Sequence, residues 1–266
     1  MKHVFLTGAS SGIGLATTQA LLDRGHEVWG TSRNVEHLPQ HRHFHPVQLD
    51  LRNSHEIDGA FTHALHEAGH IDVLINNAGS GHFGPAEFIS AEEIADQFEI
   101  LVFAQIRLLQ LALVHMRERD SGLIVNVTSL ASRLPVPFMA AYNAAKAAMA
   151  SFTMSLQLEL ASSHVHIVDL QPGDISTEFN DRVKHQQPPL LYRAQVATAW
   201  EIVEKNMKAA PKPEAVGRAL LKLISMKNPP PSITVGDLFQ TKIAPLIFRF
   251  LPQRVRIWGL KRYYGL

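Results

Sequence analysis

The sequence predicts an α/β fold, a doubly wound parallel sheet in three layers with helices on both faces. Short apolar runs alternate with longer helical runs from one end of the chain to the other, and that alternation builds parallel sheets covered on both sides. The first apolar run leads through a cluster of glycines straight into a helix, as at the edge of a nucleotide-binding crevice. The 266 residues are 46% hydrophobic, with no linker-like stretch, so one continuous core is expected. The single domain spans residues 1–266, with 176–213 as a lid and 237–266 as a C-terminal extension.

Taken in order, His3 to Thr7 is a buried strand, Gly8, Gly12 and Gly14 form the turn, and Leu15 to Arg24 is a helix. Glycines admit a pyrophosphate close to the backbone, and the free N–H groups and positive end of the following helix favour its charge. Glu27 to Thr31 is the second strand. Ser32 and Arg33 follow it, about 20 residues beyond the glycines, where an acidic residue would read a ribose 2′-hydroxyl. A serine and an arginine leave room and charge for a 2′-phosphate, which favours NADP(H). Residues 41–45, HRHFH, alternate three histidines along one side of an extended segment. No companion carboxylate group is apparent in the sequence, so the row is expected to be a solvated face and no metal is expected. Phe44 to Leu49 is the third strand, closed by Asp50 and Leu51; Ser54 to Ala68 is a helix and Ile71 to Ile75 the fourth strand. Asn76, Asn77, Ala78 and Gly79 make a turn that a cofactor can approach.

Ala91 to Arg119 has the pattern of one long helix, with Ile94, Phe98, Leu101, Val102, Leu108 and Leu109 facing the sheet. Ile124, Val125 and Val127 form the central strand, and the alanine-rich run 140–150 is the next helix. The strand ends near Thr128 and Ser129, facing that helix. Tyr142 and Lys146, four residues apart, share one helix face. A nearby ammonium favours phenolate, lowering a tyrosine pKa from about 10. With the Ser129 hydroxyl holding a substrate oxygen, the three side chains would form an acid/base catalyst for a carbonyl. A sixth strand, His166 to Leu170, leads into Pro172-Gly173. The proline-punctuated stretch from Ser176 to Pro213 is expected to be irregular and to act as a lid. Ala215 to Ser225 is helical and Ser232 to Val235 a strand.

Lys and Arg number 25 against 24 Asp and Glu, so no general charge argument for a nucleic-acid partner exists. There is no cysteine, which excludes disulfides and thiolate zinc sites and fits a cytoplasmic location. The N-terminus runs directly into a strand without the marks of a secretory signal, and no uninterrupted apolar stretch of about 18 residues predicts a membrane span. The tail from Thr241 mixes apolar runs with Lys242, Arg249, Arg254, Arg256, Lys261 and Arg262. It suits a pocket cover, a subunit interface or peripheral contact with a membrane surface, in that order, because Pro245 and Pro252 should interrupt any long amphipathic face.

TGASSGIG at 7–14, NNAG at 76–79, a serine thirteen residues before the tyrosine of YNAAK at 142–146, and QPGDIST at 171–177 together resemble the short-chain dehydrogenase/reductase family over about the first 180 residues. The resemblance implies a Rossmann-type fold, hydride transfer between NADP(H) and a small carbonyl or alcohol substrate, here expected to be apolar, and a homodimer or homotetramer. It implies that Tyr142 exchanges the proton, Lys146 tunes it and holds the nicotinamide ribose, and Ser129 orients the carbonyl. The cofactor would lie along Gly8, Ser10, Ser11, Gly12, Ile13, Gly14, Arg33, Asp50, Leu51, Asn77, Ala78, Gly79, Tyr142, Lys146, Pro172, Gly173, Ile175 and Thr177. One position departs: the family usually has an asparagine in the long helix, supporting a water relay to the lysine, and Leu101 stands there. If the relay uses only the backbone carbonyl, the helix should break its ladder near Leu101. If the helix is regular and the leucine fills the relay site, Lys146 loses a route to solvent; the alternative reading is a cofactor-binding regulatory or scaffold protein in which Leu101 has ended turnover.

Overall fold

The computed structural model describes residues 1–266. The chain runs β1 (His3–Leu6), α1 (Gly12–Leu22), β2 (Glu27–Ser32), β3 (Phe44–Gln48), α2 (Ser54–Ala68), β4 (Val73–Asn76), β5 (His82–Phe83), α3 (Ala91–Phe98), α4 (Ala104–Glu118), β6 (Gly122–Val127), α5 (Ala140–Glu159), β7 (Val165–Pro172), β8 (Lys184–His185), α6 (Arg193–Ala209), α7 (Glu214–Ser225), β9 (Ser232–Val235), α8 (Ala244–Phe250) and α9 (Gln253–Tyr263). Seven parallel strands form one sheet in the order β3-β2-β1-β4-β6-β7-β9, and β5 pairs with β8 outside it. The order reverses beside β1, and the crevice above such a reversal is where ligands bind in open α/β sheets.

The sheet is apolar on both faces, as parallel strands require. On one face Phe5, Leu74 and Ile124 pack with Phe61 of α2, Leu108 and Leu109 of α4 and Met149 of α5. On the other, Val4, Ile75 and Val125 pack with Leu21 of α1 and Leu220 and Leu223 of α7. One polar link crosses this core. Asn76 Nδ2 donates to Asn126 Oδ1 at 2.9 Å, and Asn126 Nδ2 donates to Thr153 Oγ1 at 2.8 Å, joining β4, β6 and α5.

The long helix differs from its expected form. Between α3 and α4, residues Glu99–Phe103 make a π turn, in which the Ala104 N–H reaches back to the Glu99 carbonyl. A π turn inserts one extra residue into the helical count, advancing the phase by about 100°. Ile94 sits seven residues before Leu101 and fourteen before Leu108, so a regular helix would bury all three together. Leu101 and Leu108 are fully buried and Ile94 is 39% exposed, because the π turn separates their phases. The run Ala91–Glu118 is long and apolar enough to cross a membrane by length and composition, yet Leu101, Leu108, Ala112 and Met116 are packed in the core.

Residues 176–213 differ more. In place of an irregular stretch there is a 17-residue helix, α6, and the prolines fall before and after it. In the tail, Pro245 lies in the first turn of α8 and does not end the helical run, which starts with a π turn at Phe239–Ile243. Proline cannot donate to the carbonyl four residues back; that carbonyl, of Thr241, accepts from the Thr234 hydroxyl at 3.2 Å. Only Pro252 separates α8 from α9. The histidine row is also partnered: His43 Nδ1 and His45 Nε2 lie 2.6 and 2.8 Å from the two Glu27 oxygens, and His45 stacks on Trp29 at 4.3 Å.

The buried polar link yields a test. Asn126→Ala leaves the Asn76 amide and Thr153 hydroxyl short of a partner, and should lower unfolding stability by about 1–3 kcal/mol, seen as a lower urea midpoint at unchanged slope. An unchanged midpoint would show the link to be energetically idle.

Candidate active site

A cleft of 730 Å³ runs along the C-terminal edge of the sheet. Every residue assigned to the site from sequence lines it: Ser129, Tyr142 and Lys146, the turn Gly8 to Gly14 at Gly8, Ser10, Ser11, Gly12, Ile13 and Gly14, then Arg33, Asp50, Leu51, Asn77, Ala78, Gly79, Pro172, Gly173, Ile175 and Thr177.

The glycine turn is built by close approach. A Cβ on Gly14 would stand 1.9 Å from the Gly8 carbonyl oxygen, and Gly8 itself has φ of +73°. The first turn of α1 therefore presses directly on the end of β1. That first turn holds no acidic side chain, and Ser11 makes no side-chain cap, so the free N–H groups and positive helix end face the cleft. This backbone suits a pyrophosphate. Asn77 fixes the neighbouring loop. Its Nδ2 donates to the Thr7 and Gly8 carbonyls at 2.9 and 3.3 Å, and Thr7 Oγ1 accepts from the Asn77 and Ala78 N–H groups at 2.9 and 3.0 Å. Asn77 thus braces the turn as well as lining the cleft. At the end of β2, Arg33 is exposed and no carboxylate stands at Ser32, Arg33 or Asn34. Asp50 Oδ1 accepts from the Arg52 N–H at 3.1 Å and from Arg52 Nη1 at 3.4 Å.

At the opposite wall, β6 ends at Val127 and the chain turns at Ser129, whose Oγ accepts from the Ala131 N–H at 3.0 Å. Asn143 ties the following loop to the start of α5. Its Nδ2 donates to the Val136 carbonyl at 2.8 Å and its Oδ1 accepts from the Val136 N–H at 3.3 Å. Tyr142 and Lys146 then project from one face of α5, with Nζ 5.9 Å from the centre of the tyrosine ring. Lys146 is 4% exposed and donates to the Val127 carbonyl at 2.7 Å.

The electrostatics correct one expectation. Tyr142 is not lowered by the lysine; burial pushes it up to about 12, against a smaller lowering from the Ser129 hydroxyl. Lys146 is itself pushed down to about 8 by burial, with buried Asp169 pulling the other way. Removing two groups from water favours the neutral phenol and the neutral amine.

Three kinds of lining residue escaped the sequence reading. Arg182, from the stretch before α6, donates from Nη1 to Ser11 Oγ at 2.6 Å, across the mouth of the glycine turn. Val203, Asn206 and Met207 of α6, and Tyr264 after α9, close the far end together with Met139 and Phe179. None stands in a motif, and α6 was not expected to be a helix, so only Val203 and Met207, four residues apart, could have been signalled by apolar spacing.

A model of the short chain dehydrogenase family matches residues 2–188. The chain belongs to that family. As a short-chain dehydrogenase it is an oxidoreductase that works with a nicotinamide cofactor. It is 32% identical over 267 residues to a 3-ketodihydrosphingosine reductase of Bacteroides thetaiotaomicron, covering 99% of this chain and 98% of that one. A short-chain dehydrogenase from Streptomyces avermitilis superposes with a TM-score of 0.82 at 27% identity, over 98% of this chain and 96% of that one. The closed form of a serine dehydrogenase complexed with NADP+ gives 0.76 at 26% identity, over 89% and 95%.

Burial of Lys146 makes stability depend on pH with a definite sign. The folded pKa near 8 lies below the free value of 10.5, so the folded protein releases this proton first as pH rises. The contribution is therefore present above about pH 10.5 and is lost as pH falls through 8. Urea unfolding of wild type and Lys146→Met at a series of pH values should show that rise between pH 8 and 10.5 only in wild type; parallel curves would contradict it.

Proposed function

We propose that this short-chain dehydrogenase uses NADPH to reduce a ketone or aldehyde on a long, apolar substrate. The observation that carries the reading is that Ser129, Tyr142, Lys146 and the free cation Arg33 line one continuous cleft, with no carboxylate at the end of β2 to read a 2′-hydroxyl. The Gly8 to Gly14 turn would hold the cofactor's pyrophosphate, Ser32 and Arg33 its 2′-phosphate, and Asp50 and Leu51 its adenine. Asn77, Ala78 and Gly79 would line its middle, and Pro172, Gly173, Ile175 and Thr177 its nicotinamide end. When bound, it supplies the hydride to the carbonyl carbon.

The residues of this chain do the rest. Ser129, whose Oγ accepts from the Ala131 N–H, donates a hydrogen bond from its hydroxyl to the carbonyl oxygen and fixes its position. Tyr142, kept protonated by burial, gives its proton to that oxygen as the alcohol forms. Lys146 would hold the ribose hydroxyls and pass a proton back to the phenolate. The apolar wall of Val136, Met139, Phe179, Val203 and Met207 excludes water and accepts an alkyl chain. The 3-ketodihydrosphingosine reductase, similar over the whole length, supports a lipid ketone as the substrate class. In this reading residues 176–213 are the moving wall of the substrate site, the enzyme works in the cytoplasm, and copies pair through the exposed Val114 of α4 and Met154 and Leu158 of α5. The scaffold alternative rests on Leu101 having ended turnover; the π turn at Glu99–Phe103 breaks the helical ladder there and supports the enzyme reading over it.

The test is NADPH consumption with ketones and aldehydes of increasing chain length. Tyr142→Phe should cut turnover by about 10²–10⁴-fold while NADPH still binds by fluorescence; cofactor binding without Tyr142-dependent turnover on any carbonyl would favour the scaffold. Arg33→Ala should weaken NADPH by about 1.5–3 kcal/mol, the value of a charge-assisted phosphate bond, and leave NADH nearly unchanged. Equal losses for both cofactors would remove the NADPH preference.

A further inference from the structure

The last 29 residues hold six of the 25 Lys and Arg and none of the 24 Asp and Glu. The remaining 237 residues carry 19 cations against 24 anions, so the molecule divides into an acidic body and a strongly basic end. In that end, Arg256 is used internally. Its guanidinium caps the Leu251 and Arg249 carbonyls at 2.6 and 3.2 Å and lies over the Phe248 ring. Lys242, Arg249, Arg254, Lys261 and Arg262 form no ion pair.

The same segment carries a dense group of exposed apolar side chains. Along the helical run 239–250, Phe239, Ile243, Leu246, Ile247 and Phe250 recur every three or four residues and are 42–75% exposed, so they form one stripe. Lys242 and Arg249 flank it. On α9, Arg254, Trp258 and Lys261 fall at i, i+4 and i+7, with Trp258 66% exposed. An exposed apolar stripe of this size marks a surface that is covered in use.

We propose that α8 and α9 dock on an anionic phospholipid surface, with the stripe and Trp258 in the interfacial layer and the five unpaired cations against the headgroups. Apolar stripes flanked by Lys and Arg, with tryptophan at the boundary, are the chemistry that settles in a bilayer interface. A second copy of the chain fits poorly, since pairing through this face would bring six cations from each copy together with no carboxylate to oppose them. The docked face adjoins the cleft: Tyr264, just beyond α9, lines it, and the Tyr263 hydroxyl accepts from Asn206 Nδ2 of α6 at 2.8 Å. A substrate leaving the bilayer would thus meet the apolar end of the cleft first. That last step rests on the lipid-ketone reading above; the docking does not.

Vesicle binding separates the two because it is measured without turnover. The full chain should co-sediment with phosphatidylcholine vesicles containing about 30 mol % phosphatidylglycerol, stay in solution with phosphatidylcholine alone, and release in about 0.5 M sodium chloride. Tryptophan emission should shift to the blue on binding, and Trp258→Phe should abolish the shift. Arg254→Glu with Lys261→Glu, and separately Phe250→Asp, should each weaken binding by more than about tenfold with unchanged thermal melting. Absence of sedimentation at low salt, or binding that ignores the charge reversal, overturns the proposal. A dimer in sedimentation velocity that Phe250→Asp dissociates overturns it in favour of a second copy.

Discussion

The contact between Gly14 and the Gly8 carbonyl is the constraint from which the site follows. With 1.9 Å between that oxygen and any added Cβ, only hydrogen can stand there, and α1 begins against the end of β1 with no intervening side chain. The helix axis, and with it the direction of its positive end, is set by backbone packing. Thr7 and Asn77 lock β4 to the same point with four hydrogen bonds, so the two strands bordering the crevice meet at one braced turn. Everything that faces the cleft from β1, β2 and β4 inherits its position from this junction.

The second half of the site obeys a different rule, burial of charge. Lys146 has a single hydrogen bond, to the Val127 carbonyl, and a buried ammonium with one neutral acceptor is poorly compensated. Its lowered pKa and the raised pKa of Tyr142 are two signs of one incomplete electrostatic environment. An anionic, hydroxyl-rich cofactor would complete it by returning charge and acceptors to the lysine.

Much of this was legible in the sequence, and the reasons are local. Glycine spacing, the strand ends and the Tyr142 to Lys146 interval are short-range geometry, and the residues they single out share one cleft. The lowered tyrosine pKa was misjudged because proximity of charge is visible in spacing and burial is not. The helix α6 was hidden by prolines that lie outside it, at Pro188, Pro189, Pro211 and Pro213. A break near Leu101 was legible as one of two outcomes because the leucine stands where the family has an asparagine, whereas the outward turn of Ile94 that follows from the break was not, since no residue type specifies a π turn.

The π turn between α3 and α4 also works as a rotational adapter. The sheet dictates the facing of α4, whose Leu108 and Leu109 must lie on it. With one residue in excess between them, α3 need not share that facing, and it presents Gln97 to the Ser80 carbonyl at 2.8 Å beside the cleft. One continuous helix thereby serves two clients at different azimuths, its second half fitted to the core and its first half to the rim of the cleft.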